Sequence, residues 1–239
     1  MSAVLVEDAS FSRGGTPVLS NVDFVVAGGA VLCLTGANGS GKTTVLRAIA
    51  GVVRPTAGRI LVGGELVDER SPAFRRRLAA VVGSVPFSLT MTAREHLTAV
   101  SASWGARRRD AESVADAVLR RLGLEELTGR FPHELSSGQF QMLSLASVLA
   151  RPFDVLVLDE PEQRLDADRR ELLARVLGEE RDRGAAVVIA THSRALRDAL
   201  QASEFRLGAQ GGEEQGGEEQ GGEGRDGERE DSEGSQHAA

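Results

Sequence analysis

The chain has 239 residues, which suits one domain with a full hydrophobic core, and 41% of them are apolar while only 4% are aromatic. No apolar run approaches the roughly 18 uninterrupted residues of a membrane span, and the N-terminus lacks the basic and apolar segments of a signal peptide. The single cysteine, Cys33, lies in an apolar run and is interpreted as a buried thiol. We therefore expect a soluble, cytoplasmic protein.

The formal net charge of −7 comes almost wholly from the C-terminal end. Residues 208–239 contain ten acidic residues and two arginines, a net of −8, which leaves about +1 on residues 1–207. This tail repeats Gly-Gly-Glu-Glu-Gln and has no aliphatic or aromatic anchor after Leu207, so it cannot offset the entropy of ordering. We predict one domain over 1–207 and a disordered tail over 208–239, with an acidic interaction arm as the alternative.

Short β-branched runs separated by glycine turns predict strands near the N-terminus, at 4–6, 22–26 and 31–34. The third run leads directly into a glycine-rich loop, and residues 42–50 then show helical spacing that ends at Gly51. Strand, loop and helix in this order are the context that a phosphate-binding loop requires.

The loop at 36–43 reads Gly-Ala-Asn-Gly-Ser-Gly-Lys-Thr, a Walker A pattern, and Lys42 is the only lysine among 28 basic residues. A compact ammonium on a flexible stem can reach the β- and γ-phosphates, whereas a planar guanidinium cannot take that place. The loop N–H groups and the positive end of the helix favour an anion. We predict that ATP binds Gly36, Asn38, Gly39, Ser40, Gly41, Lys42, Thr43 and Thr44, with Thr43 also on Mg²⁺.

Further strands are predicted at 60–62 and 80–85, and helical periodicity dominates 92–122. A continuous apolar run at 155–158 is typical of a strand buried on both faces of a parallel sheet. A helix over about 168–182, a buried strand over 185–190 and a short helix over 193–201 follow. Alternating strands and helices imply an α/β domain with a mostly parallel core, and the strand-poor segment 88–150 indicates an inserted helical subdomain.

The buried run at 155–158 ends in Asp159, Glu160 and a proline, which is a Walker B pattern. A carboxylate at the end of a buried strand can hold the Mg²⁺ shell, which suits Asp159. The adjacent Glu160 can orient and polarise the attacking water, because phosphoryl transfer needs positioning and charge neutralisation more than covalent chemistry.

Residues 131–139, Phe-Pro-His-Glu-Leu-Ser-Ser-Gly-Gln, stand about 20 residues before the Walker B strand, and Thr191 and His192 follow the next strand. Together with the two Walker motifs, this arrangement resembles the ATP-binding cassette (ABC) ATPases over residues 4 to about 207. The resemblance implies a P-loop NTPase cassette with a mixed or parallel core sheet, an N-terminal antiparallel β subdomain and an inserted helical subdomain.

In that family two cassettes pack head to tail around ATP and Mg²⁺. The resemblance therefore implies that Lys42, Glu160 and His192 are catalytic and that the partner's ATP meets the signature residues Ser136, Ser137, Gly138 and Gln139. It also implies membrane-spanning permease subunits as partners, no nucleic acid, and a position on the inner face of the cell membrane. The expected function is to couple ATP-driven dimerisation of cassettes to substrate movement.

Some positions depart from the family pattern. Arg13 takes the place of the usual adenine-stacking tyrosine, and a guanidinium plane can still stack, so base recognition should be weaker and less selective. Phe87 stands at the position of the Q-loop glutamine, where it can neither ligate Mg²⁺ nor bind water, unless the alignment is shifted. The D-loop pattern survives only as Leu165 and Asp166. Two interpretations stay open: tolerated variation, or a slow cassette that pairs asymmetrically with a different chain.

The alternative function is a soluble ABC protein that acts on nucleic acid or ribosomes. Such proteins carry two cassettes or a long coiled-coil insertion, which this chain lacks. The arginine clusters at 75–77 and 107–109 are short and predict solvated helix faces rather than a basic stripe.

Overall fold

The computed structural model describes residues 2–208 and 212–214. Its strands are β1 (Ser2–Arg13), β2 (Thr16–Ala27), β3 (Val31–Thr35), β4 (Ala57–Val62), β5 (Glu65–Leu66), β6 (Leu78–Val81), β7 (Val155–Asp159), β8 (Ala186–Ala190), β9 (Ser203–Leu207) and β10 (Gly212–Glu214). Its α-helices are α1 (Lys42–Ile49), α2 (Pro72–Arg77), α3 (Ala93–Ser103), α4 (Arg108–Arg121), α5 (Ser137–Leu149), α6 (Ala167–Asp182) and α7 (Arg194–Leu200).

The smaller sheet is antiparallel, with strand order β2-β1-β4-β5. Val4 of the central strand β1 pairs with Val26 on one side and with Val62 on the other. These three side chains are buried in a core that this sheet shares with the larger sheet and α1. The apolar residues at alternate positions of β1 and β2 therefore point toward that core.

The larger sheet has the order β10-β9-β3-β8-β7-β6 and is parallel except at β10. Its central strands β3, β7 and β8 are buried on both faces, and successive residues pack into different cores. Leu156 and Leu158 join the core that includes residues of α3–α6, whereas Val155 and Val157 join the core beneath the smaller sheet. This explains why their sequences are continuous apolar runs rather than alternating ones.

The carboxyl ends of β3, β7 and β8 lie at the same edge of the parallel sheet. The glycine-rich loop follows β3, Glu160 follows β7, and Thr191 and His192 follow β8. The helical segment with α3, α4 and α5 packs against the core near this edge, and the ion pair between Arg94 and Asp116 joins α3 to α4 at 2.6 Å. The fold thus brings residues that are distant in sequence to one place.

The predicted α/β class, the parallel core and the N-terminal antiparallel sheet are confirmed. The strand predicted at 80–85 is shifted, because β6 occupies Leu78–Val81. Gly83, which has a φ of 88°, lies in the loop that follows this strand. Helix α2 and strand β9 were not predicted, although Phe205 and Leu207 of β9 show the alternation of a half-buried strand. Within the predicted disordered tail, Gly212–Glu214 pair with β9 as β10, and residues 209–211 and 215–239 lie outside the described residues.

Candidate functional site: a phosphate-binding loop beside a carboxylate pair

The glycine-rich loop depends on backbone conformations that favour glycine. Gly36, Gly39 and Gly41 have φ values of 139°, 81° and 94°. A Cβ at Gly36 would lie 2.4 Å from the carbonyl oxygen of Leu207, so the loop also passes too close to β9 for any side chain. The sequence therefore folds into a tight loop whose end, Gly41, caps the N-terminus of α1.

Lys42 is buried, with 6% of its surface exposed, and its ammonium donates hydrogen bonds to the carbonyl oxygens of Gly36 at 2.9 Å and Ala37 at 3.0 Å. The hydroxyl of Ser40 is buried and has no hydrogen-bond partner among the described residues. A buried cation and an unpaired hydroxyl in one loop fit a phosphate group, which accepts hydrogen bonds from both.

Thr43, the second residue of α1, donates a hydrogen bond from Oγ1 to Oδ2 of Asp159 at 2.8 Å. The two predicted metal ligands, 116 residues apart, are thus in contact, and both carry the oxygen atoms that Mg²⁺ prefers. The described residues contain no cluster of three or more His, Cys, Asp or Glu side chains suited to a metal. Mg²⁺ bound with a nucleotide takes most of its ligands from phosphates and water, so two protein oxygens fit such a site.

Glu160 has a left-handed backbone, with φ at 48°, and its N–H donates to the carbonyl of Ala190 at 2.9 Å. A carboxylate oxygen of Glu160, Oε1, lies 3.6 Å from Nε2 of the half-exposed His192. The hydrogen bond to Ala190 of β8 holds this strained backbone conformation. The structure thus brings the predicted residues Lys42, Thr43, Asp159, Glu160 and His192 to one sheet edge.

The cavity above the loop, which we call the nucleotide cavity, has a volume of about 750 Å³. Arg13, the residue predicted to stack on the base, lies in its wall, and so do Arg47 and Arg54, which the sequence analysis did not name. None of the three forms an ion pair with a described residue. Arg47 could have been found, because it stands four residues after Thr43 and so on the same face of α1. The complete lining is Phe11, Ser12, Arg13, Val18, Asn38, Gly39, Gly41, Lys42, Thr43, Thr44, Arg47, Val53, Arg54 and Glu160.

A second cavity of about 330 Å³, the Walker B cavity, shares Thr43 and Glu160 with the first. Phe87 is not among its lining residues and packs instead against Phe140 and His96, with ring centroids 5.0 and 4.5 Å away. Residues 83–85, which precede Phe87 in the chain, line the cavity instead. The lining is Thr43, Val81, Gly83, Ser84, Val85, Phe140, Gln141, Ser144, Asp159, Glu160, Gln163 and Arg164.

The signature residues lie at the N-terminus of α5 and line neither cavity. Ser136 and Gln139 form a reciprocal capping box, in which each side chain accepts a hydrogen bond from the other residue's N–H. Ser137 is exposed and Gly138 is buried against the backbone of Arg164. This helix N-terminus is therefore not directed at the nucleotide cavity of its own chain.

Comparison with known proteins places these motifs in context. A sequence model of the family described as ABC transporter matches residues 19–163. A protein of Streptomyces coelicolor named as an ABC transporter ATP-binding protein is 37% identical over 180 residues, which cover 74% of this chain and 68% of that one.

Two further relatives are named for import. A sulfate/thiosulfate import ATP-binding protein of Mycobacterium bovis is 36% identical, and an Fe(3+) ions import ATP-binding protein of Brucella melitensis is 35% identical, each over 203 residues. These matches cover 84% of this chain but only 57% of each relative.

A solved structure described as the ATP binding subunit of an ABC transporter superposes with a TM-score of 0.79 at 27% identity, and the match covers 87% of each chain. Among residues 2–208 and 212–214, no helix combines the length and apolar character needed to cross a membrane.

Proposed function

This chain belongs to the ABC transporter family as an ATP-binding cassette, and from that premise we propose that it hydrolyses Mg²⁺-ATP to drive transport through separate membrane-spanning subunits. Members of the family bind and hydrolyse ATP. The observation that carries the proposal is the contact between Thr43 and Asp159, which sets the P-loop beside the Glu160 carboxylate.

In this proposal Lys42 turns from the loop carbonyls to the β- and γ-phosphates and neutralises their charge. Thr43 and Asp159 supply oxygen ligands to Mg²⁺, which when bound offsets negative charge on the phosphates. Glu160 orients the attacking water, and His192, whose Nε2 lies 3.6 Å from that carboxylate, contacts the γ-phosphate. Each role uses a side chain at the same sheet edge.

We further propose that the ATP site is completed by a second cassette. The exposed Ser137 and the N–H groups at the start of α5 form an anion-binding surface that faces neither cavity of its own chain. Head-to-tail pairing would place this surface on the partner's γ-phosphate. The partner is either a second copy or a different cassette.

Permease subunits are the proposed partners on the membrane side, with the cassette at the cytoplasmic face. The segment between β6 and α3, whose residues 83–85 line the Walker B cavity, exposes two large apolar side chains, Leu89 at 73% and Met91 at 38%. The relatives named for import differ in cargo, sulfate or thiosulfate in one and Fe(3+) in another. Their likeness therefore supports transport and does not select one cargo.

The test compares the wild-type chain with Glu160→Gln, alone and with the membrane proteins that co-purify from native membranes. Wild type should release phosphate from Mg²⁺-ATP, whereas the variant should bind the nucleotide with similar affinity and release about a hundredth as much or less. Equal rates for the two chains in the presence of the membrane subunits would contradict hydrolysis at Glu160. The absence of any multi-span membrane protein among the co-purified chains would contradict the transport assignment.

A further inference from the structure

The loop after the Walker B strand contains a buried carboxylate that the proposed chemistry does not use. Glu162 lies between Glu160 and Arg164, whose φ values of 48° and 64° are both left-handed. Within this loop the N–H of Gln163 donates to the carbonyl of Glu160, and the N–H of Leu165 donates to that of Glu162. Two strained residues in one short, tightly bonded loop indicate that the surrounding contacts fix its shape.

Among the described residues, Glu162 makes one side-chain hydrogen bond, which it accepts at Oε1 from the hydroxyl of Thr191. Thr191 is fully buried, with none of its surface exposed. The other carboxylate oxygen, Oε2, is buried and has no hydrogen-bond partner among the described residues. Burying an unpaired carboxylate oxygen is costly, so an apolar side chain at this position would give a more stable fold than glutamate does.

The hydroxyl of Thr191 has a second role, because it accepts a hydrogen bond from the N–H of Ser193 at 2.9 Å. This bond closes a short turn in which His192 is the middle residue. The N–H of Thr191 is bonded to the carbonyl of Leu34 at 3.3 Å, so the turn is anchored to β3 as well. Because Glu162 accepts the hydrogen bond that this hydroxyl donates, the lone pairs of the hydroxyl oxygen are left directed at the N–H of Ser193.

A continuous set of contacts thus connects Glu160 to His192, the two residues of the proposed catalytic pair. The Walker B loop holds Glu160 through its own backbone, and the same loop reaches through Glu162 to the turn that carries His192. His192 then approaches Glu160, with 3.6 Å between Nε2 and Oε1. The distance between these two groups depends on both loops, and Glu162 is the side chain that joins them.

We propose that Glu162 is a positioning residue for ATP hydrolysis, which orients His192 against Glu160 by holding the hydroxyl of Thr191. This inference rests on the proposed function. It assigns to Glu162 no contact with the nucleotide and no proton transfer. Its effect should therefore be on the rate of the chemical step and not on nucleotide binding.

The first test removes the hydrogen bond between Thr191 and Glu162 by substituting either partner, with Glu162→Ala and Thr191→Val in the full chain. Each variant should lower kcat by about tenfold to a hundredfold, since a displacement of about 1 Å in a reacting group has an effect of that order. The KM for ATP and the affinity for a fluorescent ATP analogue should change by less than about twofold. Glu162→Gln, whose amide oxygen can still accept from Thr191, should recover most of the rate.

The second test separates positioning from a general loss of structure. In a His192→Ala chain the group to be positioned is absent, so adding Glu162→Ala should lower kcat no further. If the two substitutions instead multiply their effects, Glu162 does not act through His192 and the proposal is wrong. Wild-type kcat for Glu162→Ala would also overturn it.

The chain offers a matched control in Glu204, which accepts a hydrogen bond from the hydroxyl of Thr35 at 2.6 Å. This is a second threonine–glutamate bond at the end of a core strand, but neither residue lines either cavity. Glu204→Gln should keep the wild-type kcat, and thermal unfolding should show that all variants are folded.

If the wild-type chain itself shows no turnover with its membrane partners, the proposed function fails. If wild type turns over and Glu162→Ala matches it, only the present inference fails.

Discussion

At the scale of single residues, the nucleotide cavity combines one buried ammonium with three guanidinium groups. Lys42 is almost fully buried and bonded to loop carbonyls, whereas Arg13, Arg47 and Arg54 line the outer wall. The chain uses arginine for every other cation, so the lysine is retained where a compact, flexible charge is required. We therefore expect the lysine to affect hydrolysis and the arginines to affect binding of the base.

Lys42→Arg conserves the charge but should lower ATP turnover by about a hundredfold or more, because the larger planar group cannot occupy the loop and reach the phosphates. Steady-state phosphate release measures this. Arg59→Lys, an exposed cation paired with Glu7 on the smaller sheet, is the control and should turn over ATP at the wild-type rate. Normal turnover by Lys42→Arg would show that the lysine has another role.

Arg13→Tyr should lower the KM for ATP by about threefold to tenfold, since an aromatic ring gives a larger stacking surface than a guanidinium. The preference for ATP over GTP should rise with it, because Arg13 can also donate to the O6 and N7 acceptors of guanine. Hydrolysis of both nucleotides by wild type and variant measures the ratio. An unchanged ratio and KM would place the base away from Arg13.

At the scale of secondary-structure elements, β3 connects the core to the site. Its residues alternate between the two cores and its end leads into the phosphate-binding loop. Cys33, in the middle of this strand, is fully buried, and burial raises the pKa of its thiol to about 12 from an ordinary value of 9.0. The neutral thiol is therefore part of the packed core.

This shift predicts how stability depends on pH. Above pH 9.0 the thiol ionises in the unfolded chain but not in the folded one, so the folded state binds more protons and the free energy of unfolding falls as pH rises toward 12. The loss should reach up to about 1.4 kcal/mol per pH unit. The chain has no tyrosine and a single lysine, but burial lowers the pKa of Arg151 to about 10, so the effect of the thiol is read from the difference between wild type and a Cys33 variant.

Urea unfolding of wild type and Cys33→Ala at several pH values between about 8 and 11 measures the effect. The variant should be less stable below pH 9, because its side chain leaves a small cavity, but its free energy of unfolding should change less with pH. Parallel curves for the two proteins would contradict the assignment to Cys33.

The elements that the sequence predicted best are those whose burial is uniform. The runs at 155–158 and 185–190 correspond to β7 and β8, because strands buried on both faces must be apolar throughout. The strand at 80–85 was misplaced since its valines continue past the strand into the loop beside the Walker B cavity. Arg54 was missed as a site residue because only the tertiary fold brings it to the nucleotide cavity. Glu162 was missed because the sequence places it two residues after Glu160 but does not show its hydrogen bond to Thr191.

At the scale of the whole molecule, the proposed arrangement gives each chain a P-loop and a signature that serve different ATP sites. The signature lies at the N-terminus of α5 and lines neither cavity of its own chain. If two copies pair head to tail, one defective P-loop and one defective signature can be combined in a single dimer that retains one intact site. Subunit mixing therefore tests the proposed arrangement directly.

Ser137→Glu suits this experiment, because an acidic residue in the first turn stabilises its own helix but repels the partner's phosphates. Ser137→Glu and Lys42→Arg chains should each be nearly inactive, and an equal mixture should recover about a quarter of wild-type activity, as expected for random pairing in a two-fold dimer. Phosphate release from the mixture is the measurement. No recovery, with both chains shown to exchange, would contradict a homodimeric composite site.

The close approach of Leu207 to Gly36 affects how the protein can be prepared for such assays. Strand β9 forms one side of the phosphate-binding loop, so a shortened chain that ends before Ser203 would keep β3, β7 and β8 but expose the flank of the loop. An affinity tag attached directly after residue 208 would begin beside the same loop. Attachment at the N-terminus, on the antiparallel sheet, leaves this contact intact and is the better choice for purification and immobilisation.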